Sequence, residues 1–290
     1  MVAVTLAHPR GLPSTLAEAA SRALGGAPFA WLDAPCALSL APGGAMSVAE
    51  ARARLAPLAA EADIIVRPRD APAPRVFVAD MDSTMIACEC IDELADYAGR
   101  KAEIAAITER AMRGELDFAQ ALAERVAALA GLPDAAIDQC LAERVRPNPG
   151  AATLVATLKA RGVRTVLVTG GFTRFAQPVA AMLGFDRFVA NELGVAGGRL
   201  TGAVTGAIVD SATKRAVLLA EAQALGGPAV AIAMGDGAND IPMLTAAGLG
   251  VGYRAKPAAV AAADAHIAHG ELTTLLWGLG WPRARWAALP

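Results

Sequence analysis

A chain of 290 residues is long enough for one large domain, or for a main domain with a smaller one beside it. Hydrophobic residues make up 55% and charged residues 19%, with a mean hydropathy of +0.41, a globular composition rich in buried sheet and small side chains. The net charge of −2 offers no basic field to nucleic acid, and the most apolar stretch, residues 216–234, is broken by Glu221, Gln223 and Gly226-Gly227-Pro228, so it reads as helix, turn and strand rather than a membrane span.

Residues 1–66 read as a small α/β unit. Val2 to Leu6 is a strand candidate, Ser14 is placed to cap a helix reaching about Leu24, and Ser47, with Glu50 at the capping-box position, opens another reaching about Ala60. Ile64 to Val66 is a short strand, and no chemistry is evident in this unit. Met1 to Glu18 lacks the basic start and continuous apolar core of a signal peptide. Residues 67–74 hold three prolines, which block helix and central strand alike, so this stretch reads as a linker.

Val76-Phe-Val-Ala is a short continuous apolar run, the mark of a strand buried on both faces, and it runs straight into Asp80-Met-Asp82-Ser-Thr84. Two carboxylates at a buried strand end raise each other's pKa, and a hard cation such as Mg²⁺ relieves that cost. A plain strand-to-turn junction would use the same residue types. From about Glu89 to Leu141 apolar residues recur at helical spacing, predicting three to four helices before Arg146-Pro-Asn-Pro-Gly150 closes the insert. Strand and helix then alternate. Val163 to Val168 ends in Thr169-Gly170-Gly171, with a helix following to about Leu183. Phe188 to Leu193 and Leu200 to Val204 form a hairpin around Gly197-Gly198, and Thr213 to Leu225 is helical. Ala229 to Ala233 ends in Met234-Gly235-Asp236-Gly237-Ala238-Asn239-Asp240, and Leu249 to Val251 and Ala265 to Ile267 finish the sheet. This alternation predicts a doubly wound parallel sheet, whose ligand site lies outside the carboxyl ends of the strands.

The four cysteines, Cys36, Cys88, Cys90 and Cys140, form no C-x-x-C pair and read as reduced thiols of a cytoplasmic protein. No second pair completes a metal site around Cys88 and Cys90, and with three histidines in all, acid–base chemistry falls to carboxylates. Three predicted strands end in reactive groups: Asp80/Asp82, Thr169-Gly170, and Asp236/Asn239/Asp240. Together they suggest phosphoryl transfer. One carboxylate attacks phosphorus, a cation neutralises charge, and a hydroxyl, a backbone N–H and Lys214 hold phosphate oxygens. Taken singly, Lys214 would read as a solvated helix residue, Asn239 and Asp240 as a helix cap, and Arg125 and Glu89 as surface charges.

Taken together, these motifs resemble the haloacid dehalogenase superfamily, whose D-x-D-x-T pattern is met by Asp80 to Thr84, its hydroxyl motif by Thr169, its lysine by Lys214 and its acidic motif by Gly235 to Asp240. Within it the chain is similar to the phosphoserine phosphatases, on Glu89, Ile91-Asp92-Glu93-Leu94, Arg125-Val126, Gly170-Gly171-Phe172 and Ala255-Lys256-Pro257. The resemblance covers about residues 75–270, with Thr169 standing where that family usually has serine. It implies a phosphatase core at 75–87 and 147–290 and an inserted helical cap at 88–146. Residues 1–66 fall where some members carry a regulatory domain, though no motif matches. It further implies hydrolysis of O-phospho-L-serine, the last step of serine biosynthesis. Asp80 is then the nucleophile and Asp82 the acid, then base. Mg²⁺ is held by Asp80, Asp236 and the main-chain carbonyl of Asp82, with Asn239 and Asp240 in support. Glu89 would meet the substrate ammonium and Arg125 its carboxylate, with Met112 and Phe118 lining the pocket. A phosphatase for another small phosphomonoester, a phosphotransferase and a non-catalytic sensor of the same fold stay open at this stage, and a homodimer is compatible with the sequence.

Overall fold

The computed structural model describes residues 1–288, with the side chain of Met112 outside the described set. The N-terminal unit comprises β1 (Val2–Ala7), α1 (Ser14–Ala23), β2 (Phe29–Asp33), β3 (Ala37–Leu40), α2 (Val48–Leu55) and β4 (Asp63–Pro68). The β2–β3 hairpin was absent from the predicted elements. β2 is short and mostly exposed, so burial leaves little imprint on its residue pattern. Pro13, not Ser14, stands at the N-cap of α1. Ser47 does cap α2, accepting the Glu50 N–H at 3.1 Å, while the Glu50 carboxylate turns to Arg54 instead of closing a capping box.

The core strands are β5 (Val76–Ala79), β6 (Arg164–Phe172), β7 (Arg187–Ala196), β8 (Arg199–Thr205), β9 (Ala231–Gly235), β10 (Leu249–Tyr253) and β11 (Ala265–Ile267). All strands join one 11-stranded sheet in the order β2-β3-β1-β4-β11-β10-β9-β5-β6-β7-β8. The run from β11 to β7 is parallel, while β8 and the N-terminal strands pair antiparallel. The sheet is therefore mixed at its ends. The N-terminal unit continues the core sheet through one pair, Ile64 with His266, instead of hanging from a linker. Arg67 and Pro68, expected in that linker, complete β4, and Arg67 donates to the Gly278 and Leu279 carbonyls at 3.0 and 3.1 Å.

Around the sheet lie α7 (Ala151–Ala160), α8 (Thr173–Leu183), α9 (Ser211–Gln223), α10 (Ile241–Ala246), α11 (Pro257–Ala262) and α12 (Thr274–Gly278). Alternation along β5 shows the two faces. Val76 and Val78 pack with Val166, Val168, Leu218 of α9 and Leu244 of α10, whereas Phe77 and Ala79 pack with Leu154 of α7, Phe175 of α8 and Leu275 of α12. Each such fully buried Val, Leu or Phe contributes about 1.5–3 kcal/mol of transfer free energy.

Four helices form the insert: α3 (Cys90–Tyr97), α4 (Lys101–Met112), α5 (Phe118–Ala127) and α6 (Ala135–Arg144). Asp117 and Gln120 cap α5 reciprocally, at 2.8 and 3.0 Å. The two chain crossings between core and insert touch where Ile86 bridges Pro147. There the buried Asn148 donates both amide hydrogens, to the Thr84 carbonyl at 2.8 Å and the Ile86 carbonyl at 2.9 Å.

Candidate active site

β9, β5 and β6 are parallel neighbours, so Asp236, Asp80 and Thr169 emerge side by side at one sheet edge. Asp80 follows the last β5 residue, and its N–H donates to the Met234 carbonyl of β9 at 2.9 Å. The Asp80 carboxylate is buried, with Oδ1 accepting from the Met81 N–H at 2.8 Å and from Lys214 Nζ at 2.7 Å. The described contacts leave Asp80 Oδ2 without a partner.

Lys214, 1% exposed, lies behind Asp80 and outside the cavity lining, its ammonium also 2.7 Å from Asp240 Oδ1. Burial opposes that charge, but Asp80 and Asp240 outweigh burial and hold the lysine pKa above its ordinary value. Burial and the Asp240 charge drive the Asp80 carboxyl upward, against the pull of Lys214. Asp240 Oδ2 accepts from the Asp236 and Gly237 N–H groups at 3.1 and 3.0 Å, so both Asp240 oxygens are engaged within the protein; the Gly237 bond caps the short 3-10 turn Ala238–Asp240, while Asp240 stands at the N-cap of α10 without a side-chain bond to it. A side chain at Gly235 would put Cβ 2.4 Å from the Asp240 carboxyl carbon, which explains the glycine before Asp236. Replacing Lys214 with Met leaves two buried carboxylates without their cation. We expect a loss of about 3–5 kcal/mol in urea denaturation of the metal-free protein, and a loss below about 1 kcal/mol would contradict this account of the ion pair.

Asp82 is drawn up to about 7, first by burial and then by the Glu89 charge. Its Oδ1 accepts from the Cys90 N–H at 3.2 Å, and its Oδ2 lies where a Gly171 Cβ would be 2.8 Å away, so the second glycine of Gly170-Gly171 makes room for it. Ser83 adopts a left-handed φ of 55°, and its hydroxyl donates to Glu89 at 2.7 Å. Asp82, Glu89 and Gly171 border a cavity of about 220 Å³ between core and insert. Glu89, Arg125, Thr169, Gly170, Asp236 and Asn239 line it with Asp80 and Asp82. Arg125, at the end of α5, donates through Nε to its own helix at 3.3 Å, and no described carboxylate pairs with its guanidinium. Thr169 Oγ1 accepts from the Gly171 N–H at 2.8 Å, which leaves its own hydrogen free to donate into the cavity. Phe118 closes the lid side, within 3.0 Å of where a Gly170 Cβ would stand, whereas the Met112 side chain lies outside the described residues.

One oxygen each of Asp80, Asp236 and Asp240 fall within 4.8 Å of one another, an acidic cluster able to hold a metal ion. Asp240 is engaged by Lys214 and two backbone N–H groups, Asp236 only by Thr84 Oγ1 at 3.1 Å on Oδ1 and by the more distant Lys256, and Asp80 Oδ2 by nothing described, so Asp80 and Asp236 are the less engaged carboxylates for a cation. The Asp82 main-chain carbonyl accepts no hydrogen bond among the described residues. Hard oxygen donors with one buried lysine among several carboxylates fit a divalent cation. Lys256, which had no role of its own beyond the Ala255-Lys256-Pro257 motif, stands with Nζ 3.5 Å from Asp236 Oδ2, and its N–H donates to the Asp236 carbonyl at 2.8 Å. Burial raises the Asp236 pKa, and Lys256 opposes that rise.

The model of haloacid dehalogenase-like hydrolases matches residues 77–245. The chain belongs to the haloacid dehalogenase-like hydrolases. It is 48% identical over 208 residues to a phosphoserine phosphatase of Albidiferax ferrireducens, covering 70% of this chain and 88% of that protein. Two crystal structures resemble it over 96% of its length, the N-terminal unit included. One is a HAD family hydrolase from Salmonella enterica serovar Typhi, with 29% identity, TM-score 0.87 and 98% of that chain covered. The other is a probable phosphoserine phosphatase from Vibrio cholerae, with 34% identity, TM-score 0.78 and 86% covered.

Proposed function

We propose that this chain is a Mg²⁺-dependent phosphatase that hydrolyses O-phospho-L-serine to L-serine and phosphate, the last step of serine biosynthesis. The observation that carries this reading is the cavity above Asp80, which an anionic Glu89 and a free cationic Arg125 border together. Those charges complement the ammonium and carboxylate of phosphoserine once its phosphate sits at the sheet edge. The 48% identity to a phosphoserine phosphatase supports it.

In this mechanism Asp80 Oδ2 attacks phosphorus and the bond to the serine oxygen breaks. Asp82 gives its proton to that oxygen, and serine leaves with Asp80 phosphorylated. Asp82, now a carboxylate, takes a proton from water as it attacks the same phosphorus, and phosphate departs with Asp80 regenerated. The Thr169 hydroxyl and Gly170 N–H hold phosphate oxygens, and Lys214 offsets charge behind Asp80. When bound at Asp80, Asp236 and the Asp82 carbonyl, Mg²⁺ neutralises the charge these groups share with the phosphate. Phe118 and the insert shield the site from bulk water. No helix among the described residues is long and apolar enough to cross a membrane. A cytoplasmic location belongs to this reading, and the four free cysteines agree with it. Phosphate release from O-phospho-L-serine should vanish in EDTA and return with Mg²⁺; undiminished turnover in EDTA would contradict the reading.

A further inference from the structure

We propose that Asn191, on β7, is a positioning residue that holds the phosphate-binding turn open and fastens it to the helix bearing Lys214. This rests on the phosphate-handling role given above to Thr169 and Gly170. β6 and β7 pair in register at Val168 with Val189, and again at Phe172 with Asn191, so β6 carries two more residues than β7 across this stretch. Thr169, Gly170 and Gly171 bulge from the ladder there, which releases their backbone groups toward the cavity. A released carbonyl at a buried strand end needs another donor.

Asn191, 1% exposed, supplies it. Its Nδ2 donates to the Gly170 carbonyl at 2.8 Å, and its Oδ1 accepts from the Val209 N–H at 2.7 Å. Only this orientation of the amide satisfies both partners. The first bond fixes the Gly170–Gly171 peptide plane, and so the Gly171 N–H that holds Thr169 Oγ1. The second fixes the residue just before Asp210, which caps α9 by accepting the Thr213 N–H at 2.8 Å. Lys214 follows one residue later. The Asn191 carbonyl also accepts from Thr173 Oγ1 at 3.0 Å, tying the start of α8 to the same point. One carboxamide thus spans the phosphate turn and the lysine helix without reaching the cavity.

Asn191→Asp separates the two arms. The carboxylate still accepts from Val209 but faces the Gly170 carbonyl with no hydrogen to give. At pH 8 with Mg²⁺ present, this variant should lower kcat for O-phospho-L-serine and raise the dissociation constant of inorganic phosphate by calorimetry, each at least about tenfold, the scale expected of a misplaced reacting group. Thr165→Val is the control for stability alone. Thr165 is buried at the far end of β6, where it exchanges hydrogen bonds with Asp186 at 3.0 and 3.1 Å, and its loss should lower Tm with both readouts unchanged. If Asn191→Asp does not fold, Asn191→Ala decides by the same readouts. A folded variant with wild-type kcat and phosphate affinity overturns the proposal, and so does failure of both variants to fold, which would assign Asn191 to stability only. A wild type that binds phosphate but leaves phosphoserine intact would sink the substrate reading and leave Asn191 open to the calorimetric test.

Discussion

Asp80→Asn should release phosphate from O-phospho-L-serine about 10⁴- to 10⁶-fold more slowly than wild type, the scale seen when a covalent nucleophile is removed. The substitution keeps the shape of the side chain. An amide oxygen can still accept from the Met81 N–H and from Lys214, and Lys214 keeps Asp240 as a charged partner. The fold should therefore survive, which a thermal melt checks. What disappears is the unpartnered oxygen that attacks phosphorus in the proposed mechanism, and the other carboxylates lining the cavity, Asp82, Glu89 and Asp236, have other roles in it. No phosphoryl-enzyme should be trapped by acid quench. Turnover within tenfold of wild type would remove Asp80 from the reaction.

Asp82→Asn should slow turnover by about 10²- to 10⁴-fold, the usual worth of a general acid–base group, while Mg²⁺ affinity changes little. The two outcomes separate because in the proposed mechanism the side chain moves the proton whereas the main-chain carbonyl, which the substitution retains, would face the cation. Cys90 N–H can still donate to the amide oxygen, so the turn that leads into α3 keeps its anchor. Calorimetric titration of Mg²⁺ beside steady-state rates at saturating Mg²⁺ makes the comparison. Lost metal binding with normal turnover would reverse the assignment of the two aspartates.

The candidate catalytic edge was legible because each element announces itself locally. Val76 to Ala79 is an unbroken apolar run, and Asp80, Thr169 and Asp236 each follow such a run, so a parallel sheet aligns them. Lys214 was legible as part of the constellation and through the resemblance, not by its own position. A helical lysine reads as solvated until two carboxylates from distant segments close on it. Glu89 and Arg125 are alike in this respect, being ordinary helix charges until the insert folds over the edge. Asn191 and Asn148 carried no signal, since each acts through backbone groups that only the tertiary fold brings near, and Lys256 stood in the Ala255-Lys256-Pro257 motif without a role of its own. The N-terminal unit joins the core sheet through one strand pair, Ile64 with His266, and through polar contacts such as Arg67 with the Gly278 and Leu279 carbonyls and Asp63 with the Ala268, His269 and Gly270 N–H groups, none of which periodicity encodes, while three prolines nearby favour a linker instead.

The central claim is that this cavity selects phosphoserine by its ammonium and carboxylate. The ratio of kcat/KM for O-phospho-L-serine to that for p-nitrophenyl phosphate, in wild type, Glu89→Gln and Arg125→Ala, tests it most directly. Arg125→Ala removes the partner of the substrate carboxylate inside a closed site and should lower kcat/KM for phosphoserine by about 2–5 kcal/mol. The aryl phosphate has neither group to lose, so its kcat/KM should stay near wild type and the ratio should collapse. An equal fall for both substrates would contradict the account, leaving Glu89 and Arg125 as supports of the insert and the phosphoserine assignment without its structural basis.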